Sequence, residues 1–121
     1  MNYLKQIKGF YLRRRLFPLS SSAIALYYLL LEQFNLVGFP QFMRIPLSRL
    51  MSETSLGKTA VCRARMELVR QKYLDCERSE NRSESARYSI ITIDPDEYLN
   101  KPEKNEAPPA GLLPQVTGGA K

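Results

Sequence analysis

The sequence predicts an α+β domain, mostly helical, and two observations carry that prediction. Between Leu47 and Lys72 a short helix, LSRLMSE, a tight turn, TSLG, and a longer basic helix follow one another. Directly after them, CERSENRSESARYSIITI alternates apolar and polar side chains on either side of a charged tip, the pattern of a two-stranded hairpin. Helix, turn, helix and then a wing is the order of a winged helix-turn-helix, whose second helix commonly enters the DNA major groove.

An extra helix precedes this unit. Tyr3, Leu4, Ile7, Phe10 and Tyr11 recur at helical spacing, which predicts an amphipathic N-terminal helix that Pro18 stops. Arg13, Arg14 and Arg15 at its end suit the negative pole of the helix dipole, and they also offer a basic patch for phosphates or a partner. Ser20, Ser21 and Ser22 supply N-caps for a second helix running to about Asn35. Its centre, AIALYYLLL, is apolar almost all round and should form the core of the domain, with Tyr27, Tyr28 and Phe34 packed inside. Gly38 and Pro40 break it. Phe42 to Ile45 then reads as a short strand closed by Pro46.

Ser48 is the expected cap of the next helix, which buries Leu47, Leu50 and Met51. Leu56 in the turn should plug the core. The following helix, roughly residues 58–72, puts Val61, Ala64 and Leu68 on its inner face and Lys58, Thr59, Cys62, Arg63, Met66 and Arg70 on its outer face. Leu74 and Cys76 alternate with Asp75 and Glu77, and Ala86, Tyr88 and Ile90 with Arg87, Ser89 and Ile91. From Asp94 onward the chain is polar and proline-bearing. The expected division is a winged-helix domain over residues 1–93 and a flexible polar tail or linker over residues 94–121, with a helical turn at most.

Charge and cysteine usage narrow the function classes. The 121 residues carry a net charge of +6, and the first nineteen hold five basic side chains with no acid. Between Arg44 and Ile93 stand ten basic and six acidic side chains, so positive charge gathers where a phosphate-binding surface would need it. There is no histidine and no CxxC, which excludes a structural zinc site, and no metal or cofactor is expected. Gly57-Lys58-Thr59 matches the end of a nucleotide-binding loop. Ser52, however, stands where that loop needs glycine, and a helix precedes it instead of a strand. With no histidine, no carboxylate pair beside a nucleophile and no phosphate loop, an enzyme is not expected. The longest apolar run, Ala23 to Leu31, is far short of the roughly 20 residues a membrane helix requires. Two cysteines without a signal peptide fit reduced thiols in a cytoplasm.

The candidate DNA-binding residues follow from the motif. Lys58, Thr59 and Arg63 occupy the first turns of the second helix, the turns that reach base edges in helix-turn-helix docking. Thr59 and Arg63 are the base readers, since arginine pairs with guanine bidentately. Arg49, Lys58, Arg70 and the N-terminal basic cluster are the phosphate contacts that position the protein. Arg65 falls toward the core side and is expected to pair with Glu67 or Glu53. The wing arginines Arg78, Arg82 and Arg87 alternate with Glu77, Glu80 and Glu84, which weakens phosphate binding there and leaves Arg82 at the tip as the one groove candidate. Cys62 and Met66 are apolar for a DNA face and suit a protein contact equally.

Three blocks, MNYLKQIKGFYL, PLSSSAIALYYLLLEQFNLVGFP and the segment from Ile45 to Asp75, together resemble the N-terminal winged-helix domain of DnaD-like replication proteins of Gram-positive bacteria and their phages. The resemblance covers about residues 1–93, and its most specific parts are MNYLKQI and LSSSAIALYYLL. It implies a role in replication initiation, homodimers or higher homo-oligomers built through this domain, binding of double-stranded DNA, and contacts with other replication proteins. The family's C-terminal helical domain with its YxxxIxxW motif has no counterpart in these residues, which contain no tryptophan. Family members also tend to carry glycine before the turn leucine and serine after it, whereas here Ser55 precedes Leu56 and Gly57 follows. The expected function is therefore duplex DNA binding through residues 58–72. The rivals are a protein-interaction module of a primosome with little DNA affinity, and a transcriptional regulator on the same fold.

Overall fold

A computed structural model describes residues 1–78 and 85–99. Four helices and a three-stranded sheet follow in the order α1 (Tyr3–Leu16), α2 (Ser21–Leu36), β1 (Met43–Ile45), α3 (Leu47–Thr54), α4 (Lys58–Arg70), β2 (Leu74–Glu77) and β3 (Ala86–Ile90), with a final 3-10 turn at Pro95–Glu97. The sheet is antiparallel with β3 between β1 and β2. This is the winged helix-turn-helix with an added N-terminal helix. Among the described residues no helix is long and apolar enough to cross a membrane.

The core is organised by α2. Ser20 caps it, its side-chain oxygen accepting from the amide of Ala23. Ala23, Leu26, Tyr27, Leu29, Leu30, Leu31 and Phe34 are all buried, because this helix is apolar on nearly every side and is covered by α1, α3 and α4. Phe10 of α1 stacks on Tyr27 with ring centroids 3.9 Å apart, and Tyr73 meets both rings edge-on. Such aromatic pairs add about 0.5–1.5 kcal/mol each beyond the area they bury.

The orientation of α1 departs from the sequence expectation. Leu4 and Tyr11 are exposed, while Gln6, Gly9 and Leu12 are buried. The inner face is chosen by what α1 covers, which is the backbone that leaves β3. There Gln6 donates to the carbonyl of Ile91 (2.9 Å) and the hydroxyl of Tyr27 (2.8 Å), and its carbonyl accepts from the amide of Ile93 (3.0 Å). Backbone groups beyond a strand's end need partners when buried, and a side-chain amide that both donates and accepts supplies them. Gly9 faces Ile93 so closely that a Cβ would lie 2.7 Å from the Ile93 carbonyl oxygen. The packed chain thus continues past β3 into the turn at Pro95–Glu97, where Pro95 is buried and Asp94 accepts from the amide of Asp96. Of the tail expected over residues 94–121, residues 94–99 hold this turn and residues 100–121 lie outside the described residues.

The arginines that end α1 have structural partners. Arg13 donates to the hydroxyl of Tyr98 and the carbonyl of Gln71, both at 2.8 Å, and lies over the rings of Phe17 and Tyr73. Arg14 covers Phe10 and Tyr11. Arg13 therefore ties α1 to the rest of the fold, a role different from the phosphate contacts expected of the cluster, while Arg14 packs on rings of its own helix.

The start of α3 also corrects the sequence reading. The helix begins at Leu47, with Pro46 in the cap position, and Ser48 lies inside its first turn. The Pro46 carbonyl accepts from the amides of Arg49 and Leu50, so the turn closes without a side-chain cap. Leu50 is fully buried, with Leu47 and Met51 packed against the core. Thr54 hydroxyl then donates back to the carbonyl of Leu50 and accepts from the amide of Leu56. Ser55 adopts the left-handed conformation at φ 63°, and Leu56 reaches the core as expected.

Candidate nucleic-acid interface

The local chemistry of α4 explains its position. Gly57 is its N-cap in an extended conformation, and the Gly57 carbonyl accepts the first helical bond from Val61. Val61, Ala64 and Leu68 point inward against α2, as their spacing predicts. The helix stops at Arg70, slightly earlier than expected. Lys72 turns to φ 67°, and the amide of Tyr73 bonds back to the carbonyl of Leu68 at 2.9 Å.

Lys58, Thr59, Arg63, Met66 and Arg70 are exposed on the opposite face, with Cys62 half-buried beside them. At about 100° per residue these side chains fall within one half-turn of the helix circumference. Glu67, the only acid in α4, lies on one flank and reaches back to α2. Its two oxygens accept from the amide and the hydroxyl of Ser20, each at 2.7 Å. That placement neutralises the positive end of α2 and removes the carboxylate from the outer face. Lys58, Arg63 and Arg70 consequently have no ion-pair partner among the described residues.

Arg65 lies on the other flank and is buried, as expected, but its partner is different. It donates to the hydroxyl of Tyr88 at 2.9 Å and to the sulfur of Cys62 at 3.6 Å, and neither Glu67 nor Glu53 reaches it. The reason is positional: Glu67 is taken by Ser20, and β3 places the Tyr88 phenol under the helix. Burial pushes the Tyr88 phenol up from its ordinary value, an effect that Arg65 opposes. Burial likewise pushes the Cys76 thiol up.

No family, no curated protein and no solved structure matches this chain.

Four of the six candidate residues, Lys58, Thr59, Arg63 and Arg70, are brought together on one face of α4. Arg49 is exposed on α3 and makes a long 3.5 Å contact with Gln33 of α2. Arg82 lies outside the described residues. Of the wing arginines, Arg87 forms an ion pair with Glu77 across the β2–β3 ladder and covers Phe42. Among the described residues Arg78 has no such partner. It lines a cleft with Arg70 and Met66, extending the basic surface from α4 toward the wing. The alternation of β2 carried that signal, because Leu74, Cys76 and Arg78 share one side of the strand.

Proposed function

We propose that this protein binds duplex DNA through the outer face of α4, in the setting of phage or bacterial replication initiation. One observation carries the DNA reading: the exposed face of α4 is free of carboxylates, because its only acid is turned onto Ser20. Phosphate binding needs such a face, since a carboxylate beside the backbone repels it. In this reading Arg49, Lys58, Arg70 and Arg78 contact phosphates, while Thr59 and Arg63 address base edges. The replication setting is supported by the resemblance of the N-terminal blocks to DnaD-like proteins, which also implies a homo-oligomer.

A protein-interaction module is the second reading. It is favoured by Met66, 56% exposed at the centre of the same face, and by Leu4 and Tyr11 exposed on α1. A fluorescence-anisotropy titration of labelled duplex at several salt concentrations separates the two. Log affinity should fall linearly with log salt, and each lysine or arginine removed from a phosphate should flatten the slope by about 0.9. Arg63→Ala should weaken binding by about 1–3 kcal/mol and reduce sequence preference. Affinity that is undetectable at low salt, or insensitive to Arg63→Ala, refutes the assignment.

A further inference from the structure

The cleft between α4 and β2, about 420 Å³ in volume, has the composition of a ligand site. At its base lies Arg65, 7% exposed. Its two hydrogen-bond partners, the Tyr88 hydroxyl and the Cys62 sulfur, are neutral groups. The Cys76 thiol beside it is held in its neutral form by burial. Among the described residues no carboxylate bonds to this guanidinium. A buried charge lacking a counter-ion is costly, and a guanidinium with five donors has N–H groups left for an oxyanion. The cleft walls are apolar, formed by Met66 and Val69, and Arg70 and Arg78 stand at its mouth. Among the described residues no acidic side chain lines it.

We propose that this cleft binds a small organic anion with an apolar body. A carboxylate or phosphate head would sit on Arg65 between Arg70 and Arg78, and the apolar part would lie against Met66 and Val69. The volume falls in the usual range for small-molecule sites, about 300–1,000 Å³. A DNA phosphate has no apolar body to place against the walls, so this site is distinct in chemistry from the phosphate contacts proposed above. It nevertheless shares Arg70 with them, and an occupied cleft would put negative charge on the DNA-facing side of α4.

The two thiols report occupancy directly. Octanoate should slow alkylation of Cys62 and Cys76 by iodoacetamide, measured residue by residue by mass spectrometry. By mass action the slowing should reach about tenfold at ten times the dissociation constant. Octanol and inorganic phosphate, each carrying half of the required chemistry, should protect far less. Met66→Glu adds a carboxylate at the exposed mouth without touching the core and should abolish protection, whereas Met66→Leu should keep it. Circular dichroism establishes that each variant is folded. Equal protection by octanol, no protection by octanoate, or full protection of folded Met66→Glu overturns the proposal. The assay contains no DNA, so its outcome is independent of the DNA-binding reading.

Discussion

Exchanging two residues of the helix-turn-helix turn should stabilise the protein. Ser55 holds φ 63°, a conformation that costs an L-residue roughly 1–2 kcal/mol and glycine nothing. Its side chain is exposed and makes no hydrogen bond among the described residues. Glycine adds entropy to the unfolded chain, which takes back about 0.5–1 kcal/mol. Ser55→Gly should therefore gain about 0.5–1 kcal/mol. Gly57 is the mirror case, with φ −75° and ψ 169°, an extended cap conformation that serine favours. A Cβ there meets nothing within 4 Å, and a hydroxyl could accept from the amide of Ala60 or Thr59. Gly57→Ser should add a few tenths of a kcal/mol from capping and a similar amount from the unfolded state.

The double variant Ser55→Gly, Gly57→Ser should thus be more stable by about 1–1.5 kcal/mol, a rise in Tm of about 4–8 °C per kcal/mol for a domain of this size. Urea denaturation followed by circular dichroism measures the midpoint, and an unchanged m-value confirms that stability alone has moved. Since neither side chain lies on the outer face of α4, the variant's affinity for duplex should match the parent's. A double variant less stable than the parent would falsify the assignment of strain to Ser55 and of the cap to Gly57.

Three further outcomes follow from the packing. Gly9→Ala should destabilise by about 1–2 kcal/mol, because the clash with the Ile93 carbonyl outweighs the gain of about 1 kcal/mol in helix propensity; a higher urea midpoint for this variant contradicts the close approach. Glu67→Ala should cost about 1–2 kcal/mol by removing the carboxylate that accepts from the amide and hydroxyl of Ser20, yet tighten duplex binding by removing the only acid of α4. Loss of both stability and affinity would mean that Glu67 contributes to DNA binding. Burial pushes the Tyr73 phenol from 10.0 to about 12, and the phenols of Tyr27 and Tyr88 also upward. A folded value above the unfolded one means that stability is complete below pH 10 and declines as pH rises from 10 to 12. Tyr73 alone should account for about 2–3 kcal/mol of that decline, so a urea midpoint that stays flat between pH 9 and 12 excludes these burials.

The sequence by itself determined the order of the elements and the inner faces of α2 and α4. Those properties are local: Ser20 before an apolar run caps a helix, and Val61, Ala64 and Leu68 share a face whatever they meet. It also located the four candidate residues on the outer face of α4, since the helical period brings them onto one arc of the circumference. Tertiary structure alone decided the rest, because each remaining choice depends on groups far apart in the chain. Gln6 displaced Leu4 and Tyr11 from the interior because Ile91 and Ile93, 85 and 87 residues away, needed hydrogen-bond partners. Arg13 was drawn to Gln71 and Tyr98. Arg65 met Tyr88 instead of an acid, and Glu67 met Ser20 across 47 residues. That last contact leaves the outer face of α4 basic, because periodicity can place a carboxylate on a helix flank but only packing can say what it bonds.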